Sequence, residues 1–259
     1  MARTIVVTSG KGGVGKSSVS VNIATTLAKN GMKVCLIDAD FGLKNLDVMM
    51  GLENRVVFDL KDVVEGRCSL DQVLIKDKRL DLLYLIPACK TIRFNDFKLE
   101  YMQEVIDHFK HQFDYLIVDS PAGVEKGFEY ACMCANEAIV VVTLDLSSIR
   151  DCDRVIGLLL KKGINNISLI VNRLNNDYIQ DKTTLSLKEA IEILSLPLLG
   201  IVFDDASMIA SNNKGVPVSY EKNSVLSDCF ERICRRLNGE QVSYQFKKKK
   251  KTFVPFFRK

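Results

Sequence analysis

Nine residues near the amino end, Gly10-Lys11-Gly12-Gly13-Val14-Gly15-Lys16-Ser17-Ser18, limit what this 259-residue chain can fold into more than any other stretch. An apolar run, Thr4 to Thr8, precedes them and reads as a buried strand; Ser17 to Asn30 follows with helical spacing. Strand, glycine-rich turn and helix in that order make a phosphate loop, and Gly10, Gly15, Lys16 and Ser17 satisfy its pattern G-x-x-x-x-G-K-[ST]. Small residues let successive backbone N–H groups turn inward around phosphate oxygens at the positive end of a helix, so residues 10–18 are all candidate nucleotide contacts. Lys16 is expected to reach the β- and γ-phosphates, and Ser17 a Mg²⁺ ion. The plain alternative, a glycine-rich turn without a ligand, has every fixed position and both flanking elements against it. Lys11 occupies a place where such a loop needs no side chain. It is either a solvated loop lysine or a second cation for the charge that develops in phosphoryl transfer.

A 47% hydrophobic content and alternating strands and helices, with no Pro- or Gly-rich linker, predict one α/β domain over residues 1–240 and a tail over 241–259. Met1-Ala2-Arg3 leads straight into the first strand, so no signal or transit peptide and no membrane span are expected. Eight scattered cysteines show no metal-ligand spacing and read as reduced core thiols. The net charge of +4 is a property of the tail. Seven basic residues and no acids lie between Phe246 and Lys259; removing 7 from 36 leaves 29 basic against 32 acidic residues in the body, a net −3. A body of that charge does not support a broad nucleic-acid surface.

Lys33 to Asp38 reads as a second buried strand, reached after Gly31 stops the first helix, and it ends in Asp38-Ala39-Asp40. Carboxylates at a strand's carboxyl end beside the phosphate loop lie in the ligand crevice of such sheets. One would assist the Mg²⁺ shell and the other orient a water in line with the γ-phosphate; a polar strand-end turn is the simpler reading. Short helical patterns near Asp59 to Glu65 and Ser69 to Leu74 precede a strand at Leu82 to Ile86, and Phe97 to Phe113 has helical spacing. Asp114 to Asp119 is an apolar strand ending in an acid, which suits Asp119 to a water-mediated Mg²⁺ contact and Ser120-Pro-Ala-Gly123 to a turn that rearranges around a γ-phosphate. Strands at Ala138 to Thr143 and Ile167 to Asn172 follow, with a helix from Leu146 between them and a closing helix at Ser224 to Leu237. The Asn172 amide offers a donor and an acceptor together, which suits an adenine edge as well as an ordinary turn.

Taken together, Lys-Gly-Gly-Val-Gly-Lys-Ser, Asp38-Ala-Asp-Phe-Gly-Leu-Lys-Asn-Leu-Asp47 and Asp119-Ser-Pro-Ala-Gly123 resemble the deviant Walker A ATPases of the MinD/ParA class. The resemblance covers residues 3 to about 237. It implies a P-loop NTPase with a twisted, mostly parallel sheet flanked by helices, ATP and Mg²⁺ as ligands, and Lys11, Lys16 and Asp40 as the catalytic set. It further implies that Lys11 crosses to a partner subunit's nucleotide, Asp40 positions the attacking water, Ser17, Asp38 and Asp119 serve the metal, and Asn45 lies at a dimer interface. Asn172 then contacts adenine. The second base-contacting turn, Pro-Glu-Asp in the family, is Phe203-Asp204-Asp205 here, a departure at that turn. The segment from Leu146 resembles a helix that meets regulatory partners.

The implied cycle is an ATP-dependent homodimer on an anionic membrane surface that recruits a MinC-like division inhibitor, with a MinE-like activator triggering hydrolysis. The protein would then be cytoplasmic or stromal and peripheral on the inner face of the membrane, with no nucleic acid bound. A ParA-type DNA-partition ATPase is the alternative. An iron–sulfur carrier needs paired cysteines just after residue 123, whereas Cys132 and Cys134 fall in a helical pattern. In the tail, Phe246, Phe253, Phe256 and Phe257 interleave with lysines, a pattern for an interfacial segment whose helix ends near Phe253 because Pro255 follows.

Overall fold

The computed structural model describes residues 1–40, 46–89, 98–124, 126–133 and 135–244. Asn45, Cys134 and residues 246–259 of the tail lie outside them. The first half runs β1 (Arg3–Thr8), α1 (Lys16–Lys29), β2 (Val34–Asp38), α2 (Leu46–Met49), α3 (Leu60–Val64), α4 (Leu70–Val73), β3 (Ile75–Lys76), β4 (Leu83–Ile86), α5 (Leu99–Phe109) and β5 (Tyr115–Asp119). The second half runs α6 (Lys126–Cys132), β6 (Glu137–Val142), α7 (Leu146–Lys161), β7 (Asn166–Leu174), α8 (Asn176–Gln180), α9 (Leu187–Leu194), β8 (Leu198–Phe203), α10 (Ala206–Lys214) and α11 (Val225–Leu237).

The strands form one sheet in the order β3-β4-β2-β5-β1-β6-β7-β8. All neighbouring pairs are parallel except β3 with β4. From β1 the chain moves to one side through β2 and β4, returns through β5, and only then builds the other side. The switch falls at β1, which puts the ligand crevice at its carboxyl end, where the phosphate loop begins. The strands are apolar without alternation because helices cover both faces, and β1, β2 and β5 are buried along almost their whole length.

α1 is buried on nearly every side, between the sheet and α11, although it carries Ser20, Asn22, Thr25 and Thr26. Asn22, Thr25 and Thr26 each donate to a carbonyl one turn back, of Ser18, Val21 and Asn22 at 2.8 Å, and the Ser20 hydroxyl donates to a buried carboxylate at 2.6 Å. Those bonds remove the desolvation cost that buried hydroxyls and amides would otherwise carry. Gly31, at φ +87°, ends the helix as expected.

Two strands were not foreseen. β3 is only two residues long. β8 contains Gly200, where any side chain would collide with Ile233 of α11, so a core glycine breaks the apolar run that would otherwise announce a strand. At the far end of the sheet, Arg3 binds both carboxylate oxygens of Glu137 at 2.7 Å, the Tyr115 hydroxyl at 3.0 Å and Leu237 O at 2.8 Å.

Candidate active site

The loop closes as the sequence requires. Gly13 and Gly15 have φ of +79° and +90°, the left-handed region that only glycine enters without strain. A side chain on Gly10 would strike the Asp151 backbone of α7, and one on Gly15 would strike the Asn172 amide. No side chain caps α1. Its first-turn N–H groups, which have no intrahelical partner, are therefore left for an anion.

Parallel pairing of β2 with β5 sets Asp38 directly opposite Asp119. Asp119, 1% exposed, is fully engaged: Lys16 Nζ lies 3.2 Å from Oδ2, Ser17 Oγ donates to Oδ2 at 2.7 Å, and Ser20 Oγ donates to Oδ1 at 2.6 Å. Ser20 was not foreseen as part of the site; its place one turn beyond Ser17 on the same helix face is the signal that would have found it. Asp38 has no cation partner among the described residues. Burial, then the charges of Asp119 and Asp40, hold its pKa well above the ordinary value, against backbone N–H donors from Asp40 and Leu46. Asp40, half-buried, is also raised by burial, with Lys16 working against the shift and Asp119 for it.

Asp119 takes the ammonium group of Lys16, Asp40 feels its charge and Asp38 has no cation partner among the described residues, so the site is short of positive charge. Its donors are hard oxygens, the Ser17 hydroxyl and the Asp119 carboxylate adjoining at 2.7 Å. No three Asp, Glu, His or Cys among the described residues are grouped to hold a metal unaided. This fits Mg²⁺, which keeps water and phosphate oxygens in its shell.

Beside the loop opens a cavity of about 620 Å³, lined by Asn172, Asp204, Asp205, Met208, Ile209 and Asn212 among others. It is large enough for a nucleoside. Asn172 Nδ2 donates to Val14 O at 2.7 Å, so the amide is oriented by the phosphate loop itself and ties β7 to it. At the departing turn, Asp205 accepts from Ser207 N at 2.9 Å and caps α10, while Asp204 N donates to Leu174 O at 3.0 Å.

Lys11 makes its contacts at the start of α7 and not with Asp119. Its Nζ lies 3.1 Å from Asp145 Oδ1 and donates to Ser147 Oγ at 2.7 Å, at the start of α7, and its side chain is 43% exposed. Burial works against ionisation of Asp145. Donors from Ser147, Thr143, the Ser148 N–H and Lys11 outweigh it and hold that carboxyl well below the usual range. The Asp145–Ser147 dock was not legible in the sequence.

The sheet order, the loop and the carboxylate pair define a P-loop NTPase. The family model described as "ParA: NUBPL iron-transfer P-loop NTPase" matches residues 1–238. The septum site-determining protein MinD of Synechocystis sp. is 48% identical over 245 residues, 94% of this chain and 92% of that protein. A chain of the MinC:MinD cell division protein complex from Aquifex aeolicus superposes with a TM-score of 0.88 at 41% identity, covering 94% of this chain and 99% of that one. The septum site-determining protein MinD complexed with Mg-ADP from Pyrococcus horikoshii gives 0.81 at 27% identity, with 92% and 96% covered. The chain belongs to the MinD/ParA family of P-loop ATPases, and it is similar over nearly its full length to septum site-determining MinD members.

The iron named in the family description finds no matching ligands among the described residues. Cys132 ends α6, buried, with its thiol pushed up to about 12 by desolvation. Such a thiol is a core group and a poor ligand.

Proposed function

We propose that this chain is a Mg²⁺-dependent ATPase that dimerises around ATP, associates through its tail with an anionic membrane surface, and there recruits a MinC-like division inhibitor. The observation that carries the reading is the opposite behaviour of the two loop lysines. Lys16 is buried against Asp119, whereas Lys11 is exposed and docked on Asp145 and Ser147 at the start of α7. A cation that its own site does not use is available to a neighbour's phosphates.

On ATP binding, Lys16 transfers from Asp119 to the β- and γ-phosphates, and the first turn of α1 receives the remaining oxygens. Ser17 and Asp119, with Asp38 in support, would hold Mg²⁺, which when bound would supply positive charge to the phosphates. Asp40 accepts a hydrogen bond from the attacking water and orients it in line. Asn172 and the turn at Asp204 and Asp205 bound the base cavity. Ser120 and Gly123 donate to Val7 O and Ser9 O, so the turn after Asp119 is seated on the strand that feeds the phosphate loop. Movement of that turn with the γ-phosphate, together with transfer of Lys11 from Asp145 to the partner, converts nucleotide state into dimer state.

The Aquifex MinC:MinD complex supports a MinC-like partner, and the exposed start of α7, carrying the Lys11 dock, suits a MinE-like activator. No helix among the described residues is long and apolar enough to cross a membrane. Attachment is assigned to residues 246–259, whose lysines and phenylalanines interleave. Basic residues near an anionic surface are worth about 1 kcal/mol each before screening, so one tail binds weakly and two in a dimer bind by avidity. A ParA-type role on DNA is disfavoured by the net −3 of the body.

Co-sedimentation with anionic liposomes tests this reading, with DNA binding measured alongside. Full-length protein is expected to sediment with ATP and remain largely soluble with ADP. Truncation after Gln245 should keep ATP binding but lose sedimentation. Equal sedimentation of both forms, or preference for DNA over liposomes, would refute the membrane role.

A further inference from the structure

Arg79, between β3 and β4, binds two segments that border the nucleotide site from different sides. Its Nη2 donates to Gly215 O at 2.6 Å and its Nη1 to Met50 O at 3.1 Å, while Lys78 Nζ donates to Gly51 O at 3.0 Å. The two segments touch: a methyl group on Gly215 would lie 2.7 Å from Gly51 Cα. One planar fork therefore joins the end of α2 to the end of α10. Lysine, a point charge, cannot reproduce that geometry.

What the fork joins gives it a role. The first residue of α2, Leu46, supplies a backbone hydrogen bond to Asp38, and Asp38 Oδ1 also accepts from Asp40 N at 3.1 Å, so the placement of α2 bears on both carboxylates. α10 carries Met208, Ile209 and Asn212 into the base cavity, and Asn212 Nδ2 donates to Ser18 Oγ in the phosphate loop at 2.8 Å. Behind the fork lies Asp77, buried, whose Oδ1 accepts from Arg79 N, Leu80 N and the Tyr220 hydroxyl at 2.7 to 3.0 Å. Its Oδ2 receives no hydrogen bond from a described residue and lies 3.6 Å from Arg79 Nη1. The guanidinium thus has a second seat beside the one it occupies. Moving onto Oδ2 would release the Met50 carbonyl and uncouple the two segments.

We infer that Arg79 is a positioning residue for hydrolysis: by clamping α10 to α2 it makes occupancy of the base cavity set the placement of Asp38 and Asp40. The inference rests on the assignment of that cavity to the base. Binding energy from a remote part of a substrate raises turnover only if something carries it to the reacting centre. The clamp is the contiguous connection that does so.

The test compares ATP with ribose 5′-triphosphate, which keeps the sugar and phosphates and lacks the base, using the full chain with Mg²⁺. Wild type should turn over the base-free substrate at least about tenfold more slowly in kcat. Arg79→Lys should lose at least about tenfold in kcat with ATP, keep KM for ATP within about threefold, and lose less than about twofold more when the base is removed. If Arg79→Lys lowers both substrates by the same factor while wild type still discriminates, the clamp is merely structural and the inference is overturned. If wild type turns over both substrates alike, the base-cavity assignment and the clamp fall together. Should circular dichroism show Arg79→Lys unfolded, Tyr220→Phe serves instead. It removes one donor from Asp77, draws Arg79 toward that carboxylate, and should give the same non-additive pattern at smaller amplitude; an additive result would again overturn the inference.

Discussion

The two ends of the sheet hold charged groups in opposite ways. At the amino ends of the strands, Arg3 meets Glu137 through two hydrogen bonds of 2.7 Å, and Tyr115 donates to Asn238 Oδ1 at 2.5 Å, so each charge has a counter-charge and each donor an acceptor. At the carboxyl ends, Lys16 pairs with Asp119 and acts on Asp40 only through its charge, Asp38 has no cation partner among the described residues, and the pKa values of Asp38 and Asp40 are held above the ordinary range. One end is complete in the isolated chain. The other is completed by a ligand that brings cations and anions together. The difference separates residues that hold the fold from residues that hold the reaction, and substitutions at the two ends should separate accordingly.

The largest effect is expected at Lys16. Lys16→Ala should weaken Mg-ATP binding at least about 100-fold, near 2.7 kcal/mol, and leave no measurable turnover; calorimetric titration with ATP checks it. A variant that binds within threefold of wild type would show that the charge deficit at this end is not what holds the nucleotide.

Asp40→Ala comes next and sharpens the contrast within the site. Its kcat should fall about 10² to 10⁴-fold while ATP affinity stays within about threefold, because orientation of the water is lost and ground-state binding is not. Single-turnover hydrolysis beside equilibrium binding separates the two quantities, and loss of binding would move Asp40 into the metal shell.

Arg3→Ala probes the completed end. The pair is partly exposed, Arg3 at 36% and Glu137 at 16% of side-chain surface, so the loss is discounted to about 1 to 2 kcal/mol of stability, with kcat unchanged. Urea unfolding and steady-state turnover on the same preparation read both.

The smallest effect has the opposite sign. Asp38→Asn should stabilise the nucleotide-free protein by about 1 kcal/mol at pH 8, roughly 2 to 4 °C in Tm, because a buried carboxylate no longer has to ionise without a partner. The folded pKa of Asp38 is raised, so wild type loses stability as pH rises from the ordinary aspartate value through that raised pKa, and the cost is absent below the ordinary aspartate value. Thermal melts at several pH values should therefore show the two proteins converging in acid and the variant ahead at alkaline pH. Its Mg²⁺-dependent binding should weaken.

Much of the fold could be read along the chain. β1, β2, β5, β6 and β7 are apolar runs bounded by turns, and their observed limits fall within two residues of those expected. α1, α7 and α11 follow from helical spacing and end signals. The helix expected at Phe97 to Phe113 is observed as Leu99–Phe109. β3 and β8 escaped because pairing and helix packing create them; neither pattern is strong by itself. Within the site, residues 10–18 and Asp119 were legible because a phosphate loop needs fixed spacing between near neighbours. Ser20 was not, because a serine one turn further along has no meaning until β5 places Asp119 against it.

The sequence alone determined the local chemistry: a loop able to wrap phosphates, acids at two strand ends, an amide at a third, and a basic aromatic tail. Backbone sterics and short-range spacing dictate such features, and these act within a few residues. Only the tertiary structure decided which of them meet. It set Asp38 opposite Asp119, turned the Asn172 amide onto Val14 O, docked Lys11 on Asp145 and Ser147, and ran Arg79 to both Met50 and Gly215. The Asp38, Asn172, Lys11 and Gly215 contacts each join residues about 80 to 160 positions apart. Strand order and register bring them together, and those depend on how the whole core packs.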